Sequence, residues 1–156
     1  MEMNTSQIVC ILDHKYPMIL IDGVDSIERN KSCRAYKNLT YNEWFFPSHF
    51  KDNPIMPGSL QIEAFTQAVA LPLMISENMK RDSKISVLLA GVDKVRFYES
   101  IYPGDKFDIK VNIERFAMGI ATSKVKGIVE DKLVSECMIT YKNVKIRYIC
   151  REIKYQ

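Results

Sequence analysis

The chain has 156 residues, of which 47% are hydrophobic and 26% charged, and its formal net charge is +3. This size and composition are typical of one globular domain, so we predict a single domain over 1–156. The charge is too small to indicate nucleic-acid binding. No run of about 18 apolar residues predicts a membrane span. The N-terminus lacks the basic and apolar regions of a signal peptide, so we expect a soluble, cytoplasmic protein.

The four cysteines are far apart in the sequence and include no Cys-x-x-Cys pair: Cys10, Cys33, Cys137 and Cys150. With two histidines in the chain, they form no recognisable metal-binding pattern. We therefore predict no metal site, and we expect reduced thiols that pack in the core, as is usual in the cytosol.

The first third of the chain is predicted to contain a short helix and two strands. Apolar residues share one face over 5–13, which indicates a helix that ends before Pro17. Segments 18–30 and 32–40 have the composition of strands. A loop is expected from there to Gly58.

A long helix is predicted to begin at Ser59. Its apolar residues cover nearly the whole circumference, which indicates burial in a core: Leu60, Ile62, Ala64, Phe65, Ala68, Val69, Leu71, Leu73 and Met74. Pro72 removes a backbone donor and clashes with the preceding turn, so we expect it to kink the helix or end its regular part.

Apolar and charged residues alternate with period two through the second half, as in half-buried strands. The predicted strands are 87–99, 106–116, one that ends at Val129 and one that ends near Cys150. One long helix and about six strands predict an α+β fold, in which a curved antiparallel sheet wraps the helix.

A polar stripe interrupts the apolar helix. Ser59, Glu63 and Gln67 are spaced four apart and therefore lie on one face. Burying a carboxylate without a partner is costly and favours its protonated form, which suits a general acid. Periodicity alone leaves a second interpretation open, namely that the stripe is the solvent side of an amphipathic helix.

His49 lies just before this helix, in a loop rich in turn residues, FFPSHFKDNPIMPGS. On its own it is either a structural hydrogen-bonding group or a base. Gly58 opens the helix, and the free N–H groups of Gly58 and Ser59 are suited to stabilising an oxyanion. A base, an acid and oxyanion donors thus lie close together in the sequence.

The chain resembles the FabZ-type (3R)-3-hydroxyacyl-[acyl carrier protein] dehydratases, which have the hotdog fold. The matching segments occur in family order: HKYPMILIDGV (14–24), FFPSHF (45–50), NPIMPGSLQIEAFTQ (53–67), GVDKVRFYESIYPGD (91–105) and KLVSE (132–136). The resemblance implies a central helix wrapped by the sheet, and dehydration to a trans-2-enoyl thioester in fatty-acid or related acyl-chain biosynthesis.

The resemblance also implies the roles of the site residues. His49 removes the proton next to the thioester carbonyl, and Glu63 protonates the departing 3-hydroxyl. The Gly58 N–H polarises the thioester oxygen, and Gln67 orients Glu63. No metal or redox cofactor is expected, because the reaction only moves protons and expels water. The substrate is carried on the phosphopantetheine of the acyl carrier protein.

The family assembles by joining two sheets edge to edge, so the resemblance implies a homodimer, or three such dimers in a hexamer. Each site would combine His49 of one chain with Glu63 of the other. The acidic carrier protein needs a basic surface, for which Lys94 and Arg96, on one face of a predicted strand, are candidates. A second candidate group follows on the last strand: Lys145, Arg147 and Arg151.

The chain departs from the family pattern at several positions. Ser48 stands where the family has glycine before the histidine, Lys51-Asp52 replaces a Pro-Gly-like pair, and Gly23 stands where arginine is usual. The side chain at Ser48 is expected to narrow the pocket or to change the backbone angles of the loop.

Three alternatives remain from the sequence. The first is a hotdog acyl thioesterase. The second is a MaoC-like hydratase, although Met56 stands where its motif requires histidine. The third is a non-catalytic protein that binds acyl thioesters.

Overall fold

The computed structural model describes residues 1–12, 14–76 and 85–145, except for the side chains of 76, 85–86 and 144–145. The elements in chain order are β1 (Met3–Asn4), α1 (Thr5–Leu12), β2 (Gly23–Glu28), β3 (Ser32–Asn38), a 3₁₀ turn (Phe46–Ser48), α2 (Gly58–Ser76), β4 (Ile85–Phe97), β5 (Lys106–Ala117), β6 (Ile120–Val129) and β7 (Lys132–Lys145).

The described strands form one antiparallel sheet in the order β1-β2-β3-β5-β6-β7-β4, so β1 and β4 are its edges. The helix α2 contacts the five strands from β3 to β7. The predicted α+β architecture is confirmed. The sheet has seven strands instead of six, because the two-residue strand β1 pairs with β2.

The helix α2 is the centre of the core, as its sequence predicted. Ala64, Phe65, Ala68, Val69, Leu71 and Leu73 are each no more than 1% exposed. Burying a leucine contributes about 1.5–3 kcal/mol. Leu71 and Leu73 flank Pro72, and together they offset the roughly 3 kcal/mol that a proline costs inside a helix. The helix accordingly continues to Ser76, so Pro72 does not end it.

Two strand boundaries differ from the prediction. The strand predicted over 18–30 begins at Gly23, because the Met18 carbonyl and the Leu20 N–H bond to a side chain of α2 instead of a neighbouring strand. The last strand is described as far as Lys145. Its predicted continuation to Cys150, with Arg147 and Arg151, lies outside the described residues.

The cysteines only partly follow the expectation of buried thiols. Cys33 and Cys137 are buried, and burial, helped by the charges of Asp25 and Glu136 respectively, raises the pKa of each thiol to about 12. Both therefore remain protonated and behave as small apolar groups. Cys10 is exposed, contrary to the expectation, and Cys150 lies outside the described residues.

Across the described ranges, no helix is long and apolar enough to cross a membrane.

Candidate active site

The polar stripe of α2 runs from the surface into the core. Ser59 is exposed, Glu63 is partly buried with 28% of its side chain exposed, and Gln67 is 1% exposed. The amide Nε2 of Gln67 donates to Glu63 Oε1 at 2.8 Å, so these residues share a face as predicted. Because Gln67 is buried, the alternative of a wholly solvent-facing stripe is wrong.

Every hydrogen-bonding group of the Gln67 side chain has a partner. Its second Nε2 hydrogen goes to the Met18 carbonyl at 2.6 Å, and its Oε1 accepts from the Leu20 N–H at 2.9 Å. These bonds attach the segment before β2 to the middle of α2. Gln67 therefore holds both the carboxyl group of Glu63 and the neighbouring loop.

Glu63 has a second neighbour that the sequence did not predict. Nε2 of His14 lies 3.6 Å from Glu63 Oε1. The expectation of a fully buried carboxyl group is therefore wrong, since 28% of the Glu63 side chain is exposed and it lies beside two polar groups. His14 begins the first segment that matches the family, which is the one sequence signal that pointed to it.

Tyr141 packs against the same part of α2, and its hydroxyl donates to the Thr66 carbonyl at 3.0 Å. Burial raises the pKa of this phenol to about 12; the hydrogen bond with Thr66 opposes the rise, and the nearby charge of Glu63 adds to it. Tyr141 is therefore neutral at physiological pH.

The loop that carries His49 is anchored by two aromatic side chains. Phe45 and Phe46 are 1% and 2% exposed. Beyond them, the Ile55 N–H donates to the His49 carbonyl at 2.8 Å, and His49 Nδ1 lies 3.1 Å from the Ile55 carbonyl. Because a carbonyl can only accept, Nδ1 carries a hydrogen. Nε2 then holds the lone pair of the neutral ring and is the nitrogen able to act as a base.

Ser48 fits the 3₁₀ turn that precedes His49. Its hydroxyl donates to the Phe45 carbonyl at 3.1 Å, and its φ is not positive. A conformation that requires glycine is therefore absent at this position. At Gly23, by contrast, an added Cβ would overlap the ring of Tyr36, so this departure from the family pattern is matched by close packing.

The first turn of α2 presents free donors. The N–H groups of Leu60 and Gln61 both bond to the Pro57 carbonyl. Among the described residues, no acceptor bonds to the N–H of Gly58 or Ser59. An added Cβ at Gly58 would lie 2.8 Å from Cζ of Phe97 on β4, so a side chain at this position would displace that half-exposed ring.

One chain does not join the two predicted catalytic residues. Within the part of the chain that the structure describes, no hydrogen bond, ion pair or ring contact connects His49 with Glu63. His49 contacts Ile55 and stacks on Phe50, whereas Glu63 lies beside Gln67 and His14. The roles of both remain predictions.

The strict alternation predicted for Lys94 and Arg96 is wrong. Lys94 has φ +52°, and the register of β4 against β7 shifts between Asp93 and Arg96, which marks a bulge. The spacing of two therefore does not put Lys94 and Arg96 on a common face. Both are exposed, and Arg96 lies opposite Glu136.

Over the described residues, no group of three or more His, Cys, Asp or Glu side chains is placed to hold a metal ion.

A buried helix packed against one antiparallel sheet places the chain in the class of hotdog-fold proteins. The family model described as FabA-like domain matches residues 12–138. Among solved structures, the fold matches the dehydratase heterocomplex ApeI:P from Xenorhabdus doucetiae with a TM-score of 0.71 and 18% identity, over 88% of this chain and 90% of that one.

Two curated relatives match nearly end to end. Both are 3-hydroxyacyl-[acyl-carrier-protein] dehydratases FabZ. The protein of Nitrosomonas eutropha is 40% identical over 137 residues, which cover 88% of this chain and 95% of that one. The protein of Listeria welshimeri is 42% identical over 139 residues, 89% and 94% of the two chains. The chain belongs to the FabZ-type dehydratase family, as its motifs predicted.

Replacing Gln67 tests its role as the link between α2 and the neighbouring loop. We expect Gln67→Met to lower the free energy of unfolding by about 2 kcal/mol, because it leaves the buried Leu20 N–H without an acceptor. Urea unfolding measures this loss. The control Ser59→Ala, on the exposed end of the same stripe, should stay within about 0.5 kcal/mol of wild type. Equal stability of both variants would contradict the assignment.

Proposed function

We propose that this protein dehydrates a (3R)-3-hydroxyacyl group on an acyl carrier protein to a trans-2-enoyl group, in fatty-acid or related acyl-chain biosynthesis. The observation that carries the proposal is the carboxyl group of Glu63, held by Gln67 where the polar stripe passes from the core to the surface. Near-complete alignment with FabZ dehydratases at about 40% identity supports it.

The base in this reaction is His49. Its Nε2 takes the proton from the carbon next to the thioester carbonyl, and the electrons of the broken C–H bond form the new double bond. The contact of Nδ1 with the Ile55 carbonyl fixes the tautomer and the ring orientation. The ring becomes an imidazolium and returns its proton to water after the product leaves.

The acid is Glu63. As the C–O bond breaks, Glu63 gives its proton to the departing oxygen, and water leaves. The amide of Gln67 donates to the resulting carboxylate. The reaction consumes no electrons and no co-substrate, so we propose that it needs no metal or redox cofactor beyond the carrier's phosphopantetheine.

The developing negative charge on the thioester oxygen requires a donor. The N–H groups of Gly58 and Ser59 open α2 and have no acceptor in the described part of the chain. Donors at a helix N-terminus stabilise an anion without reorganising. We propose that the Gly58 N–H binds the thioester oxygen, with Ser59 beside it.

Edge strand β4 supports a homodimer. Among the described strands, none pairs with its outer edge, and Leu88, Leu89 and Phe97 on it are each close to half exposed. Such an edge favours pairing with a second sheet. We propose a homodimer through β4, alone or as three dimers in a hexamer, in which His49 of one chain acts with Glu63 of the other.

An acidic carrier protein would dock through exposed basic residues near the site. Lys94 and Arg96 belong to β4, the strand whose Phe97 lies over the start of α2. This position, together with their charge, supports them as docking residues despite the bulge.

We propose that the protein meets its carrier in the cytoplasm.

The catalytic assignment predicts that His49→Ala and Glu63→Gln each lower the rate by about 10²-fold or more, because each removes a proton-transfer group. The assay is hydration of crotonyl thioesters linked to coenzyme A and to carrier protein. Circular dichroism checks that both variants fold. Near-normal turnover by either variant contradicts its role, and release of free acid instead would identify a thioesterase.

Shared sites predict complementation between inactive proteins. Mixing His49→Ala with Glu63→Gln under subunit exchange should restore part of the activity, because one of the two sites in each mixed dimer is then intact. Differently tagged chains show that mixed dimers have formed. If such dimers stay inactive, each site belongs to a single chain.

Carrier docking predicts a difference between substrates. Lys94→Glu/Arg96→Glu should raise KM for the carrier-linked substrate, and added salt should do the same for wild type. Turnover of the coenzyme A analogue should change much less. The control is Lys31→Glu. Lys31 is exposed, pairs with Glu28 and lies between β2 and β3, at the other side of the sheet from β4. Equal losses on both substrates would count against docking at β4.

A further inference from the structure

We propose that His14 is a positioning residue for Glu63, whose carboxyl oxygen Oε1 lies beside Nε2 of the ring. This inference rests on the proposed dehydration, in which Glu63 loses and regains a proton in each turnover. It adds a second histidine to a site for which the sequence predicted one.

The backbone fixes the state of one His14 nitrogen. His14 follows α1, and its Nδ1 lies 2.8 Å from the Leu12 carbonyl. A carbonyl can only accept, so Nδ1 carries a hydrogen in both the neutral and the charged ring. Nε2, at 3.6 Å from Glu63 Oε1, is therefore the nitrogen whose protonation changes.

The pair is attractive when it holds one proton. If the proton is on the ring, an imidazolium faces a carboxylate. If it is on Glu63, a protonated carboxyl group faces the bare lone pair of Nε2, which can accept it. With no proton, the lone pair faces a negative charge, and with two, a carboxyl proton on Oε1 faces a donor. The distance of 3.6 Å suits an ion pair, and apo catalytic contacts often shorten when substrate binds.

The other described neighbours of Glu63 cannot follow this change. Gln67 cannot turn its amide, because its oxygen is occupied by the Leu20 N–H, so it offers Glu63 a donor in every state. The hydroxyl of Tyr141 is committed to the Thr66 carbonyl. His14 alone among them can switch between acceptor and donor as Glu63 switches between acid and carboxylate.

The geometry also distinguishes the two oxygens of Glu63. Oε1 has both Gln67 and His14 beside it, whereas Oε2 has no hydrogen-bond partner among the described residues. His14 is 40% exposed, so its ring exchanges protons with water while Glu63 is covered by substrate.

A double-mutant cycle tests whether His14 acts through Glu63. It compares wild type, His14→Phe, Glu63→Gln and the double variant in kcat and KM for crotonyl-coenzyme A hydration. We expect His14→Phe to lower kcat about 10-fold, through misplacement of the acid, with KM changed less than about twofold. In the Glu63→Gln background the same change should alter kcat less than about twofold, because its effect needs the carboxyl group.

Two further variants separate positioning from packing. His14→Gln restores a polar group without the ring's second proton site, and its kcat should exceed that of His14→Phe but stay below wild type. Lys15→Gln, an exposed neighbour in the same loop, should leave kcat unchanged. A kcat for His14→Phe equal to wild type, or an equal loss in both Glu63 backgrounds, overturns the proposal.

The same four proteins are unfolded in urea, which distinguishes failure of this inference from failure of the proposed reaction. Contact between the pair predicts that the two substitutions change the unfolding equilibrium constant non-additively, by a factor of about 3 or more. Absence of turnover in wild type would contradict the reaction. In that case the urea measurements alone test the contact between His14 and Glu63, and additive effects overturn the proposal.

Discussion

The candidate site depends on one buried amide. Gln67 lies in the core, where an unbonded polar group costs roughly 1–3 kcal/mol. Its three hydrogen bonds fix the Glu63 carboxyl group, the Met18 carbonyl and the Leu20 N–H in one arrangement. The helix therefore does more than fill the core. Through Gln67, the packing of α2 determines where the carboxyl group of Glu63 lies and where the loop carrying His14 meets it.

The proposed base, His49, is held by different means. His49 owes its position to backbone contacts with Ile55 and to two phenylalanines buried just before it. The proposed acid and base of one chain are thus on separately anchored elements, and neither anchor involves the other. Separate anchoring suits a site assembled from two chains, because each half is ordered before the halves meet.

Periodicity predicted the parts of the fold where the side chains alone determine the structure. β5 and β6 alternate cleanly, and α2 is apolar all round. Periodicity failed where contacts between residues far apart in the sequence determine the structure. The burial around Pro72 continues the helix, and the bulge at Lys94 adds a residue that no alternation reveals. The carboxyl of Glu63 was recognisable from spacing within one helix, but its neighbour His14 arrives from a distant loop.

The contact between Phe97 and Gly58 couples the start of α2, with its free N–H groups, to the apolar surface of the edge strand β4. The ring belongs to the edge strand and lies against the first residue of α2, where the free N–H groups are. A larger residue at 58 displaces this half-exposed ring, which also alters the apolar surface of the edge. Libraries that reshape the start of the helix therefore also reshape the outer surface of β4, and varying 58 and 97 together keeps the two changes matched.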